Sequence, residues 1–209
     1  MKNMYKLVLA ISFVLISLPS ASADIFHVVD NYAHGKSIWD YSSTFATIDM
    51  GIDDRTVNDV NIFLDISHDY LDDLDVIITH AGETIELFDD IGGKKNDISN
   101  VWFDDEASAD IDASGRGNNP HFGPGIYRPE SSHYWKLSAF DGMALGGLWT
   151  LEVYDDNDHR CFRDEGALNS FGIAGTLEET NSPVPEPATM LLLGTGLAGL
   201  VGFRKKFRN

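Results

Sequence analysis

Leu74-Asp75-Val76-Ile77-Ile78-Thr79-His80-Ala81-Gly82-Glu83-Thr84-Ile85-Glu86-Leu87-Phe88 is the stretch that decides the fold. Two runs, Leu74 to Ile78 and Thr84 to Phe88, flank His80-Ala81-Gly82-Glu83. Period-two runs on either side of a glycine-containing turn predict a β-hairpin. Working outward, Val60, Ile62, Leu64 and Ile66 share one face of a predicted strand. Phe63 interrupts the other face, which points to a strand covered on both sides. Trp149, Leu151 and Val153 alternate with Thr150, Glu152 and Tyr154, and Phe171, Ile173 and Gly175 line one side of a last run ending at Leu177. Asp-rich and Gly-rich segments separate these runs, and residues 92–97 and 114–119 read as exposed loops. Short strands with frequent turns and no long helical pattern predict an all-β sandwich.

The two ends of the 209-residue chain read differently. Lys2 and Lys6 precede an apolar run from Leu7 to Leu18, followed by Ala21-Ser22-Ala23. This order predicts a secretory signal over 1–23, with the exported chain starting at Asp24. The alternative is a retained anchor, for which the run is short against the ~20 residues a bilayer needs. At the other end Val184-Pro185-Glu186-Pro187 leads into an apolar segment, Ala188 to Phe203, and then Arg204-Lys205-Lys206-Phe207-Arg208. At ~1.5 Å per residue such a helix reaches ~24 Å, less than a ~30 Å hydrocarbon core. Its basic end favours the cytoplasmic side. A permanent C-terminal anchor is the plain alternative.

This order resembles the PEP-CTERM sorting signal over 184–209. The resemblance implies transient insertion in the inner membrane of a Gram-negative bacterium and processing by an exosortase near Pro185-Glu186-Pro187. It also implies a cell-surface or matrix destination, linked to extracellular polysaccharide and biofilm. Residues 178–183 read as the linker into it.

Charge sets the partners. The leader holds two of the 15 basic residues and the tail four, while the tail holds one of the 33 acids. Asp24–Pro183 therefore carries nine basic against 32 acidic residues, a net −23. That excludes nucleic acid and disfavours anionic lipid. It suits divalent cations, basic partners or simple solubility. Cys161 is the only cysteine, so no intramolecular disulfide forms.

A second resemblance covers residues 57–177. His68-Asp69-Tyr70-Leu71-Asp72-Asp73-Leu74, Phe103-Asp104-Asp105-Glu106-Ala107, Tyr127-Arg128-Pro129, Leu137-Ser138-Ala139-Phe140-Asp141-Gly142, Gly147-Leu148-Trp149-Thr150-Leu151 and Gly166-Ala167-Leu168-Asn169-Ser170-Phe171 are similar, in order, to stretches of the proprotein convertase P-domain. Thr79-His80 replaces that family's Ser-Pro before Gly82-Glu83-Thr84, and Phe171 replaces a Trp. The resemblance implies a jelly-roll β-sandwich over 24–177, of P-domain or galactose-binding-like type. It makes His68 a packing residue and Trp149 a core residue. It gives Tyr127 and Arg128 structural roles, with Arg128 expected to bond Asp104 or Asp105. In convertases this domain stabilises a protease, for which the present sequence has neither a nucleophile segment nor length.

The remaining chemistry is limited. Seven histidines and many acids occur without a nucleophile motif, a His-Glu-x-x-His pair or a phosphate loop, so no catalysis is expected. Acidic loops suit a hard cation. Asp72, Asp73, Asp105 and Asp155 are the candidate calcium ligands, if distant loops meet at one end of the sandwich; the bland alternative is a solvated acidic surface. Strand alternation places Asp73 and Asp75 on one face and Asp72 on the other or in a turn. His159 and Cys161 are too few for zinc. Of the aromatics, Tyr134 and Trp135 are the candidate ligand contacts. The expected role is that of a non-catalytic exported module binding polysaccharide or a surface protein. A calcium-dependent carbohydrate-binding module and an accessory to a separate protease are the alternatives.

Overall fold

Inward-facing apolar side chains at alternate positions build the central strands of the computed structural model, which has nine strands among its described residues. It describes residues 23–92, 96–111, 121–130, 136–157, 166–178 and 195–196. The strands are β1 (Ile25–Ile38), β2 (Ser42–Asp49), β3 (Val57–Ser67), β4 (Leu74–His80), β5 (Glu83–Asp89), β6 (Ile98–Phe103), β7 (Gly125–Tyr127), β8 (Leu148–Asp155) and β9 (Gly166–Leu177). They form a five-stranded sheet, ordered β1-β9-β3-β6-β7, and a four-stranded sheet, ordered β2-β8-β4-β5. All pairs are antiparallel except β6 with β7. Most connections pass from one sheet to the other, as in a sandwich. The contacts gather Ala23–Glu179 into one unit.

The expected hairpin is β4–β5. Its turn residues Ala81 and Gly82 both have positive φ, 51° and 89°. That left-handed pair matches the twist of the strands, and glycine adopts it without steric cost. The core lies between the sheets. Val60, Ile62, Leu64 and Ile66 of β3 face Val76 and Ile78 of β4, Ile85 and Leu87 of β5, and Trp149, Leu151 and Val153 of β8 as buried side chains of one cluster. Phe171 and Ile173 of β9 join them. Trp149 is fully buried, and its indole N–H donates to the Leu145 carbonyl at 3.0 Å.

Several expectations change in detail. Strands β1, β2, β6 and β7 have no counterpart in the runs read from sequence. Phe63 is half-buried on the outer face of the five-stranded sheet, where Trp102 covers it at a centroid distance of 5.1 Å. Its cover is thus a side chain, not another layer. Residues 1–22 of the leader, residues 93–95, the 114–119 loop, Tyr134, Trp135, His159, Cys161 and the sorting residues Val184, Pro185, Glu186 and Pro187 lie outside the described residues. Among the described residues no helix is long and apolar enough to cross a membrane.

Candidate functional site

Acidic residues collect at both ends of the sandwich. At the first end, β3 runs out at Ser67 and the chain turns through His68. The ring is buried. Its Nδ1 lies 2.6 Å from the Tyr70 carbonyl and its Nε2 3.1 Å from Asp155 Oδ2. The Tyr70 N–H also points at Nδ1, at 3.3 Å, so the ring is held through both nitrogens. The ring packs where a side chain on Gly166 would stand. His68 is therefore a structural residue, as the sequence implied. His80 behaves alike: it stacks on Trp149 at 3.8 Å, and its nitrogens lie 3.1 and 2.8 Å from the carbonyls of Leu148 and Ala144.

Beside His68 a 3-10 turn, Leu71–Asp73, leads into β4. This corrects the strand alternation expected across Asp72, Asp73 and Asp75, because the two-residue period begins only at Leu74. Asp73 is buried and accepts from Asn157 Nδ2 at 2.9 Å. Asp75 pairs with Asp89 across the hairpin. Carboxylate oxygens of Asp75, Asp89 and Asp90 lie within 4.8 Å of one another. Burial, a hydrogen bond with Asp89 and the charges of Asp89, Asp90 and Asp156 push Asp75 up to about 7. Burial and the charges of Asp89, Asp156, Asp72 and Asp73 push Asp90 up to about 6. Asp72 Oδ1 and Asp75 Oδ1 are buried with no hydrogen-bond partner. Crowded carboxylates with unsatisfied oxygens can hold a hard cation.

Asp105 does not join this group. It lies beyond the end of β6, near Asp59 at the start of β3. His68 is nine residues along from Asp59, roughly 30 Å at the strand rise. Asp105 accepts from the backbone N–H of Leu137 at 3.1 Å and of Ser138 at 2.9 Å. It caps the second 3-10 turn, Leu137–Phe140. The four-residue set Asp72, Asp73, Asp105 and Asp155 is thus not one site: the first, second and fourth share an end and the third caps a turn at the other. Arg128 also departs from expectation. Its nearest described carboxylate is Asp110, at 4.0 Å, in place of Asp104 or Asp105.

At this second end a cleft of about 410 Å³ is lined by Asp59, Asp104, Asp105, Glu106 and Asp141, with Asn58, Ser138 and Thr176. Burial and the charges of Asp104 and Asp105 raise the Asp59 carboxyl. Burial, Asp59 and Asp105 raise Asp141 in the same way. A hydrogen bond with Asp104, ahead of burial, raises Glu106.

Sequence reasoning missed Asp89, Asp90 and the cleft. The hairpin carried a signal for the first two. Counting outward from Ala81-Gly82 sets Asp75 opposite residue 88, and the register shift between Val76 and Ile77 moves its partner to Asp89.

Residues 183–206 match the family model described as the PEP-CTERM protein-sorting motif. The motif implies an exported chain that an exosortase-type enzyme processes. No curated protein sequence matches the chain. Among solved structures, the complex of an Aeromonas sobria serine protease with its chaperone contains a similar chain, with a TM-score of 0.43 and 17% identity. The match covers 75% of this chain and spans 27% of that one.

Proposed function

We propose that this chain is a non-catalytic binding module displayed at the cell surface, where its sandwich engages extracellular polysaccharide or a surface protein. The observation that carries this reading is the sorting motif at 183–206. It routes the acidic sandwich outward and supplies no chemistry of its own. The absence of catalysis is supported by the use of the buried histidines. His68 and His80 spend their ring nitrogens on backbone carbonyls and on Asp155, in contacts that hold the fold. The P-domain-like stretches fit a stabilising or binding role as well.

The test is fractionation of producing cells followed by capture on their own exopolysaccharide. The expected result is a processed chain in the surface or extracellular fraction that the polysaccharide retains. A cytoplasmic chain would overturn the export reading. Retention by a co-exported protease instead of polysaccharide would make the chain an accessory module.

Calcium at the first acidic end is the second reading. It is favoured by the partnerless oxygens of Asp72 and Asp75 beside Asp89 and Asp90. A bound ion would satisfy those oxygens and relieve the crowding that holds protons on Asp75 and Asp90. Calcium at ~100 times its dissociation constant adds about 2.7 kcal/mol, or roughly 5–10 °C in midpoint. Equal unfolding midpoints in EGTA and in Ca²⁺ would remove this reading.

A further inference from the structure

The outer face of the five-stranded sheet presents more than acid. Strand alternation turns three cross-strand rows outward, since the residues between them are core. The first joins Ile25, Thr176 and Asp59; the second His27, Ala174 and Asn61; the third Val29, Gly172, Phe63, Trp102 and Ile126. In the third row Val29 packs over Gly172, where a Cβ would stand 2.6 Å from Val29 Cγ2. His27 reaches Trp102 at a centroid distance of 5.7 Å, and Trp102 lies 5.1 Å from Phe63. The result is a shelf of three rings, their planes tilted by 40° between His27 and Trp102 and by 51° between Phe63 and Trp102. Ile25 and Ile126, among the most exposed apolar side chains, flank it at 79% and 56%.

The acidic cleft continues the shelf. Asp59 stands two residues before Asn61 on β3, and Asp104 follows Trp102 by two residues. At the strand rise each step is about 6.6 Å. Asn61 bridges the two halves: its Nδ2 is turned toward Asp59 Oδ2 at 3.5 Å, and its Oδ1 is buried without a partner.

We propose that this continuous face binds a cationic, amino-sugar-containing polysaccharide, with pyranose rings on the Trp102 shelf and the sugar ammonium in the Asp59–Asp104–Asp141 cleft. The proposal rests on the binding-module reading and names its ligand class. Charge complementarity selects the cation. Five carboxylates line the cleft, and three of them are held above their ordinary range by burial and by one another. An ammonium group relieves that repulsion, and a cation beside an indole gains a further attraction. A polyuronate meets the same field as repulsion.

Backbone accounting selects a glycan over a peptide. Strands β9, β3 and β6 are each paired on both edges, so this face offers side chains and no free ladder groups. A peptide laid across it would find few partners for its main chain. A pyranose needs none. Its C–H face meets rings, and its hydroxyl and amine groups donate to carboxylates and to the carbonyl of Asn61.

The test uses the full chain, its tail held in mild detergent, in EGTA. Four probes are titrated: a deacetylated chitosan hexamer, its N-acetylated counterpart, an oligoalginate and a lysine-rich peptide of equal charge. The expected result is binding of the deacetylated hexamer with a change in tryptophan fluorescence, loss at high salt, and no response to oligoalginate. Trp102→Ala and Asp141→Asn should each weaken it about tenfold. Trp102→Tyr should retain most of it, and each variant should still unfold in one cooperative transition, with a lower midpoint for Trp102→Ala, which uncovers Phe63. Equal affinity for the acetylated hexamer would overturn the cationic subsite. Equal affinity for the peptide, unaffected by Trp102→Ala, would overturn the glycan. If the chain captures its producer's polysaccharide but none of these probes, the ligand class fails and the binding-module reading stands. If it captures nothing, both fail.

Discussion

Asp155 and His68 meet at 3.1 Å with side chains almost wholly out of solvent, at 1% and 0% exposed. A buried pair adds little relative to apolar packing, but removing one member strands the other. Asp155→Ala should therefore cost about 3–5 kcal/mol and lower the midpoint by about 10 °C, measured by calorimetry. A drop of only a degree or two would show that His68 finds another partner. Asp75 makes the opposite contribution. Its folded-state carboxyl titrates at about 7, above the ordinary 3.8 of an open chain. The folded state thus binds the proton more tightly, and the associated stability is complete below about 4 and lost as pH rises through 7. In EGTA the midpoint should fall between pH 5 and 8, and Asp75→Asn should flatten that fall. Calcium, if it binds there, should flatten it too by stabilising the ionised set. A wild-type midpoint that rises over this range would contradict the arrangement.

The second 3-10 turn shows how an element depends on one carboxylate. Leu137 and Phe140 are buried, and the turn that carries them starts with two backbone N–H groups bound to Asp105. Asp105→Ala should cost about 1 kcal/mol, as loss of a helix cap does, or roughly 2–4 °C. The loss should be the same in EGTA and in Ca²⁺, because the residue caps a turn and is remote from Asp75. A calcium-dependent difference would restore it to the metal set. The hairpin, β3, β8 and the end of β9 were legible because each carries its core residues at period two. Strands β1 and β2 were not. Ile25, Phe45 and Trp39 are exposed where a buried run would be expected; Phe26, Ile38, Ala46 and Ile48 are buried, and Val28 packs against the core only in part. Their place at the sheet edges explains the weak pattern. The grouping of the candidate acids was legible in part for a related reason. Asp72, Asp73 and Asp155 are close in space because β4 pairs with β8, as their alternation allowed. Asp105 was misplaced because nothing in its local sequence says at which end of β6 it falls.

For the whole molecule, the sorting motif and the sandwich occupy separate stretches of the chain. Contacts within Ala23–Glu179 hold the sandwich together, and the sorting motif occupies 183–206 beyond it. Replacing Pro185, Glu186 and Pro187 by alanine should leave the unfolding midpoint and ligand capture unchanged, since the three fall outside Ala23–Glu179. The same change should block processing, so that the chain keeps its apolar segment and basic end and stays with the membrane fraction. An apolar segment running only from Ala188 to Phe203 falls short of the ~20 residues a bilayer span needs and makes a poor permanent anchor. Blocked chains should therefore leave the membrane more readily in mild detergent than a protein with a full span. Intact-mass measurement of the released wild-type chain locates the cut. A wild-type chain that reaches the surface with residues 184–209 intact would make the tail an anchor, and would hold the acidic, ring-bearing face at the membrane instead of in the matrix.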